Sequence, residues 1–153
     1  MNVKALIRRV NHTLKLHKLF PEYSRILIAC SGGPDSMALL HLLQDIAAHR
    51  HTKYKLGIAI VDHSIRPESK AEVLWLQNQV DALGLSFYTT TFDVPTLSKD
   101  LKLSEETVGR RVRYQWPNEI AHSEGYDYIA VAHHKDDQAE SILAHLIRGT
   151  GLN

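Results

Sequence analysis

The feature that most constrains the fold is a short, nearly continuous apolar run, Arg25–Cys30, followed at once by the string Ser-Gly-Gly-Pro-Asp-Ser. A run of this length without polar alternation is typical of a strand that is buried on both faces of a parallel sheet. Parallel neighbours need a crossover connection, which is usually a helix. We therefore expect a chain in which strands alternate with helices.

The rest of the sequence repeats this alternation. The predicted elements are, in order, a helix over residues 2–19, strand 25–30, helix 35–49, strand 56–61, helix 69–83, strand 85–91, helix 104–122, strand 128–132 and helix 136–147. Pro117 predicts a kink or a break in the helix that contains it. Residues 93–103 lack a clear period and are expected to form a loop over the site. The predicted fold class is α/β, a doubly wound parallel sheet with helices on both faces.

Composition excludes several classes of protein. The chain has 153 residues, enough for one ordinary domain, and its 44% hydrophobic and 23% charged residues are typical of globular proteins. A net charge of +1 provides no global basic field to indicate nucleic acid. Cys30 is the only cysteine, which excludes a disulfide framework and suits a reducing, cytoplasmic environment. We see no signal peptide or membrane-spanning run, and expect no membrane partner.

The glycine-rich string is a candidate phosphate loop, because it joins a buried strand to a helix where open α/β sheets bind phosphate. Its residues are Ser31, Gly32, Gly33, Pro34, Asp35 and Ser36. The glycines allow close approach, and the serines and the first helical amides can donate hydrogen bonds to phosphate oxygens. Asp35 cannot donate, so we assign it to Mg²⁺, which binds carboxylates together with phosphate oxygens. An ordinary turn with a helix N-cap is the alternative.

The loop is neither a Walker A sequence nor a dinucleotide-binding Gly-x-Gly-x-x-Gly sequence, which excludes kinase, GTPase and dehydrogenase interpretations. Polar residues also follow other predicted strands. Asp137 and Glu140 are three residues apart on a predicted helix and could hold a lysine ammonium group or a metal. Arg110 and Arg113 have the same spacing and suit phosphate or RNA backbone, with a solvated surface as the alternative.

Five strings carry a family resemblance. Ser-Gly-Gly-Pro-Asp-Ser resembles the loop of the PP-loop ATP pyrophosphatases, which cleave ATP between the α and β phosphates to adenylate a carbonyl oxygen. The string from Val61 is similar to Val-Asp-His-Gly-Leu-Arg-x-x-Ser of the lysidine synthases, with Ser64 in the glycine place. The string Gly109-Arg-Arg-Val-Arg-Tyr resembles their Ala-Arg-x-x-Arg-Tyr, and residues 133–141 and 148–152 resemble His-His-x-Asp-Asp-Gln-x-Glu-Thr and Arg-Gly-Thr-Gly-Leu.

The resemblance implies an adenine nucleotide alpha hydrolase-like fold, with residues 1–153 forming a PP-loop ATP-binding catalytic domain. It also implies roles for particular residues: Asp62 and His63 beside the adenosine, His133 near the nucleotide, Arg113 with Asp35 in catalysis, Asp137 and Glu140 positioning lysine, and Arg148 with Gly149 over the phosphates.

The activity that the resemblance implies is that of an ATP-dependent carbon–nitrogen ligase. ATP with Mg²⁺ would adenylate the C2 oxygen of the wobble cytidine in tRNA(Ile) bearing a CAU anticodon, and L-lysine would then displace AMP. We expect the domain to be incomplete at its C-terminus and the tRNA-binding C-terminal domains to be absent. The resulting open sheet edge would favour a homodimer.

Two alternatives stay open. The chain could bind ATP or AMP without catalysing a reaction, or it could be part of another PP-loop tRNA-modifying enzyme. Thiolases of that class commonly use cysteines that this sequence does not have beyond Cys30.

Overall fold

A computed structural model describes residues 2–30, 34–48, 53–64, 67–133 and 143–148, but not the side chains of residues 133 and 143–148. Its elements are α1 (Val3–Leu16), β1 (Arg25–Cys30), α2 (Pro34–Ala47), β2 (Lys55–Asp62), α3 (Ser69–Ala82), β3 (Ser86–Thr91), α4 (Val94–Leu101), α5 (Glu105–Glu124), β4 (Tyr128–His133) and β5 (Leu143–Arg148).

The strands form one sheet in the order β3-β2-β1-β4-β5. The first four are parallel, and Ile28 at the centre of β1 lies between Ile58 of β2 and Ala130 of β4. Central β1 is buried on both faces, since Ile26, Leu27 and Ile28 have no exposed surface. The predicted α/β class and its parallel sheet are confirmed.

Helices cover both faces of the sheet, because alternate β1 side chains point to opposite sides. Ile26 and Ile28 belong to the larger core cluster, which α1, α2 and α3 complete. Leu27 belongs to a second cluster on the other face, where Ala121 of α5 packs against it. The two cores hold the sheet rigid, so the strand ends at its edges have fixed positions.

Most of the segment 93–103 forms helix α4, Val94–Leu101, and not the loop that we predicted. The Asp93 carboxylate accepts hydrogen bonds from the backbone N–H of Thr96 at 3.0 Å and from its hydroxyl at 2.8 Å, which caps the first turn of α4. Val94, in that turn, is fully buried. Aspartate at the cap and Pro95 in the first turn are helix-start signals that outweigh the weak apolar period.

Pro117 neither breaks nor divides α5, which runs through it as one helix of 20 residues. The Asn118 side-chain amide donates to the carbonyl oxygen of Tyr114 at 2.8 Å, in the turn that the proline ring disturbs. Pro117 is buried, and its packing on the sheet favours the unbroken helix.

The predicted helix over residues 136–147 is corrected in its described part. Residues 143–147 belong to strand β5, which pairs antiparallel with β4, while residues 136–142 lie outside the described residues. A short apolar run fits a strand as well as a helix, and pairing satisfies the backbone groups of β4. Among the described residues β5 is the outer strand on this side of the sheet, and the expectation of an open edge that favours a homodimer stays a prediction. Within the described residues, no helix is both long and apolar enough to cross a membrane.

Candidate functional site

The carboxyl ends of β1, β2 and β4 meet at one edge of the sheet and enclose a cavity of about 210 Å³. This is the edge where open parallel sheets bind ligands. The lining residues come from these three strands, from the start of α2 and from α5: Ala29, Cys30, Ser36, Ala59, Val61, His63, Arg113, Pro117, Val131 and Ala132.

The start of α2 faces this edge. The helix begins at Pro34, Asp35 lies half-buried in its first turn, and Ser36 is buried and lines the cavity. Proline fits a first helical turn because its missing N–H would have no partner there. The N-terminus of a helix also favours anions, since its first amides lack intrahelical acceptors. Residues 31–33 of the predicted phosphate loop lie outside the described residues.

Asp62, at the end of β2, is almost completely buried and shapes the backbone beyond the strand. Its carboxylate accepts a hydrogen bond from the backbone N–H of Ser64 at 2.9 Å, and its carbonyl oxygen accepts one from the N–H of Phe92 at 2.8 Å. Ser64 has a φ of 53°, in the left-handed region that favours glycine. The Asp62 carboxylate thus supports a turn that directs the chain across the edge of the cavity.

His63, between these two residues, packs against α5. A Cβ atom placed on Gly109 would lie 3.4 Å from the Nδ1 atom of His63, so the helix passes close to the imidazole ring. Arg113, one turn further along α5, lines the same cavity. Burial and then the positive charge of Arg113 lower the pKa of His63, and the Asp62 carboxylate opposes them. A neutral imidazole can accept a hydrogen bond from a ligand.

The structure brings three sequence-predicted residues together, because Ser36, His63 and Arg113 all line one cavity. Asp35 and Asp62 lie beside it, at the start of α2 and the end of β2. His133 ends β4, and the parallel pairing of β4 with β1 directs its backbone to the same edge. Asp137, Glu140 and Gly149 lie outside the described residues.

The backbone of Arg148 lies away from the cavity. Its backbone pairs with Tyr128, at the beginning of β4, whereas His133 at the end of β4 pairs with Leu143. Antiparallel pairing therefore carries Arg148 away from the cavity toward the opposite edge of the sheet. The Arg148 backbone thus lies at the amino edge of the sheet, and the role of its side chain over the phosphates stays a prediction.

Of the ten residues that line the cavity, seven were not among the predicted site residues, and Cys30 and Pro117 are two of them. Cys30 was considered only as a redox signal and Pro117 only as a helix breaker, yet both contribute to the wall. The position of Cys30 just before the phosphate loop was a usable signal, whereas Pro117 depends on how α5 crosses the sheet. Among the described residues, no cluster of three or more His, Cys, Asp or Glu side chains could hold a metal by itself.

Comparisons with known proteins extend the match beyond short strings. The "tRNA(Ile)-lysidine synthase" of Thermosipho africanus is 40% identical over 147 residues, covering 96% of this chain and 34% of that protein. The protein with the same name from Chlorobaculum tepidum is 37% identical over 137 residues, covering 89% of this chain and 41% of that protein. The chain thus spans less than half the length of these relatives.

A solved structure supports the architecture. The U34-tRNA thiolase NcsA from Methanococcus maripaludis, solved with its [4Fe-4S] cluster, superposes with a TM-score of 0.71 and 18% identity. The superposition covers 84% of this chain and 44% of the thiolase, and at this identity it shows a common fold alone. The sequence profile of the PP-loop domain matches residues 4–153, nearly the entire chain. The protein therefore belongs to the PP-loop domain family.

Proposed function

We propose that the chain is the catalytic-side portion of a tRNA(Ile)-lysidine synthase, an ATP-dependent carbon–nitrogen ligase of the cytoplasm. In the first step, the C2 oxygen of the wobble cytidine attacks the α phosphorus of ATP, and pyrophosphate leaves. In the second step, the amine of L-lysine attacks C2, and AMP leaves with the oxygen.

One observation carries this proposal. Ser36, His63 and Arg113 belong to three separate strings that resemble lysidine synthase motifs, and all three line one cavity. A mostly apolar pocket with a few convergent polar groups is the usual form of a small-molecule site. The 40% identity to the Thermosipho africanus relative supports the same substrate class.

Each described residue has a role that fits its position. The buried hydroxyl of Ser36 and the first amides of α2 would bind phosphate oxygens, because a helix N-terminus stabilises negative charge. Arg113 reaches the cavity from α5 and would stabilise charge that develops on the α phosphate. His63 would lie beside the adenosine as a neutral hydrogen-bonding group.

Mg²⁺ fits this arrangement through Asp35. The ion takes one or two carboxylates and completes its shell with phosphate oxygens and water, so it needs no cluster of protein ligands. Asp35 lies in the first turn of α2, where bound phosphates would be adjacent. When bound, the ion would neutralise charge on the departing pyrophosphate. Asp137 and Glu140, from the string after β4, remain our candidates for positioning lysine.

The test is incorporation of labelled lysine into a tRNA(Ile) transcript with a CAU anticodon, in the presence of ATP and Mg²⁺. We expect Asp35→Asn to lower incorporation by about 100-fold or more, because the metal supplies several kcal/mol of charge stabilisation. Asp45→Asn is the matched control, since Asp45 lies on the same helix with an exposed side chain.

The same preparations should be titrated with ATP, so that binding is separated from ligation. Incorporation that persists in the control and disappears in Asp35→Asn supports the proposal. ATP binding without incorporation by the parent chain would instead favour a nucleotide-binding piece. Absence of ATP binding would contradict both interpretations of the cavity, as a ligase site and as a site that only binds nucleotide.

A further inference from the structure

The first helix of this nearly neutral protein carries four cations, Lys4, Arg8, Arg9 and Lys15, and a fifth, Lys18, follows it. Five of the 18 Lys and Arg residues precede Glu22, which is the first of the 17 acidic residues. The rest of the chain therefore contains 13 cations and all 17 acidic side chains. Helix α1 has no acidic residue, although negative side chains would stabilise its first turn. The helix thus departs from the charge balance of the rest of the molecule.

The inner face of α1 is already occupied. Leu14 is buried, and Leu6 and Val10 pack against the core cluster that also contains α2. A basic amphipathic helix that binds a lipid surface must insert its apolar face into the membrane. Because α1 uses that face within the fold, its outward face offers cations and polar side chains, and its exposed apolar residues, Val3 and Leu16, lie at opposite ends of the helix. A hydrophilic polyanion fits this surface better than a membrane does.

Three of the cations form a row, which we call the α1 stripe: Lys4, Arg8 and Lys15. With successive residues about 100° apart around a helix, spacings of four and seven place all three within a sector of about 40°. At a rise of about 1.5 Å per residue, the row is roughly 16 Å long. All three are exposed, and none makes an ion pair within the part of the chain that the structure describes.

We propose that the α1 stripe binds the phosphate backbone of a base-paired RNA stem. Under the proposed function, on which this inference rests, the stem belongs to the tRNA substrate. Phosphates along one strand of a duplex are separated by about 3.4 Å of axis, so a stripe of about 16 Å spans several of them. Contacts of this kind fix the orientation of the nucleic acid without reading its sequence.

The other cation-rich helix, α5, is less suited to this role. Its first turn carries Glu105 and Glu106, and the guanidinium of Arg110 lies 6.0 Å from the centre of the Tyr114 ring. Arg113 on that helix lines the cavity. We therefore assign α5 to the reaction site and α1 to a separate contact. Helix α1 packs on α2, which begins at the site, so one RNA molecule could reach both surfaces.

The experiment measures binding of a tRNA(Ile) transcript to the full chain by fluorescence anisotropy across a series of salt concentrations. The logarithm of the binding constant falls as the logarithm of the salt concentration rises, and we use slope for the magnitude of that fall. Each lost phosphate contact should lower this slope by about 1. The variant Lys4→Gln/Arg8→Gln/Lys15→Gln should therefore lower it by about 3. Arg8→Gln alone should lower it by about 1, with weaker binding at every salt concentration.

Arg9→Gln is the matched control for Arg8→Gln. Arg9 is the next residue of the same helix and is also exposed, but it points about 100° away from Arg8. Circular dichroism is used to test whether each variant is folded, and ATP titration to test whether its nucleotide site is intact. The expected result is a lower slope in Arg8→Gln and an unchanged slope in Arg9→Gln.

The proposal would be overturned by equal slopes for the parent and the triple variant, by equal losses in Arg8→Gln and Arg9→Gln, or by no salt-dependent binding of RNA by the parent. Stronger retention by anionic lipid vesicles than by RNA would also overturn it. Salt-dependent binding by the stripe without lysine incorporation would contradict only the proposed function. Incorporation with equal slopes would contradict only the stripe.

Discussion

The amino and carboxyl edges of the parallel sheet differ in how closely the residues around the strand ends are packed. At the amino edge, Phe20 packs edge-on against Tyr54 and Tyr128, with ring centres 5.8 and 5.0 Å away, and the Tyr54 hydroxyl donates to the Phe20 carbonyl oxygen at 2.9 Å. At the carboxyl edge, the strands end around a cavity of about 210 Å³. Aromatic rings fill the first edge, whereas the second has open space lined by small apolar residues together with Ser36, His63 and Arg113.

The amino edge is also tied by polar contacts. Asp127 and Arg25 are joined in both directions, through a bond from the Arg25 N–H to the Asp127 carboxylate at 2.9 Å and one from the Asp127 N–H to the Arg25 carbonyl at 2.8 Å. The Arg25 guanidinium lies 5.2 Å from the centre of the Tyr126 ring. Burial and the hydrogen bond with Tyr88 raise the pKa of Tyr126 to about 12. Aromatic and polar contacts therefore tie the strand ends together at the edge opposite the site.

Removing the central ring of the amino edge should have the largest effect. Phe20→Ala should lower the free energy of unfolding by about 3–5 kcal/mol, since it deletes a buried aromatic side chain and leaves a cavity. Tyr23→Ala in the same loop is the control, because Tyr23 is 61% exposed and its loss should cost far less. Urea titration gives both values. If both substitutions lowered the free energy of unfolding equally, burial would not decide stability at the amino edge, and the contrast between the two edges would fail.

Close packing at the amino edge leads to a second prediction. A Cβ atom on Gly57 of β2 would overlap the hydroxyl and ring of Tyr126, so only glycine fits beneath this ring. Gly57→Ala should therefore lower the free energy of unfolding by about 1–3 kcal/mol, which urea titration measures.

The double variant Gly57→Ala/Tyr126→Phe identifies the cause of that loss. Removing the hydroxyl deletes the atom nearest to the new Cβ, so Gly57→Ala should cost less stability in the Tyr126→Phe background than in the parent chain. If Gly57→Ala costs the same in both backgrounds, the two substitutions are strictly additive. Additive losses would show that the overlap with the Tyr126 hydroxyl is not responsible.

Much of the fold followed from the sequence, because the central strands β1, β2 and β4 are short apolar runs that alternate with longer helical segments. Strands β1 to β4 were predicted within one or two residues of their observed bounds. Errors fell where local signals compete: Asp93 and Pro95 start a helix in a segment with little apolar period. The strand at Leu143–Arg148 depends on pairing with β4, and long-range pairing cannot be read from a short apolar run.

At the site, the sequence showed which residue types occur, and the structure explains why they suit their positions. The family string has glycine where this chain has Ser64, and the φ of 53° at that position explains the preference. The family has alanine where this chain has Gly109, and a Cβ there would make only ordinary contact with His63. The convergence of Ser36, His63 and Arg113 required the fold, because no local pattern reports which strand ends are neighbours.

The Gly109 position provides a smaller test at the carboxyl edge. Gly109→Ala should raise the free energy of unfolding by up to about 1 kcal/mol, since alanine is the better helix former and the new methyl group has room. Gly125→Ala at the end of the same helix is the control of opposite sign, because Gly125 has a φ of 74°. Thermal or urea unfolding measures both. A loss of stability in Gly109→Ala would mean that α5 lies closer to His63 than the structure indicates.

The smallest effect should be the pH dependence of His63, because this side chain is only half-buried and solvent screens its charge. Its pKa is lowered by burial and then by Arg113, against the opposing Asp62 carboxylate. Protonation is therefore more costly in the folded state than in the unfolded state. The stability that depends on neutral His63 is complete above the usual pKa of 6.5 and is lost as the pH falls through the lower folded pKa.

Titration followed by NMR should show that Arg113→Gln raises the pKa of His63, while Arg111→Gln, on an outward-facing part of α5, leaves it unchanged. An unchanged pKa in Arg113→Gln would separate the two residues that we place in one site, and would leave burial as the only cause of the shift.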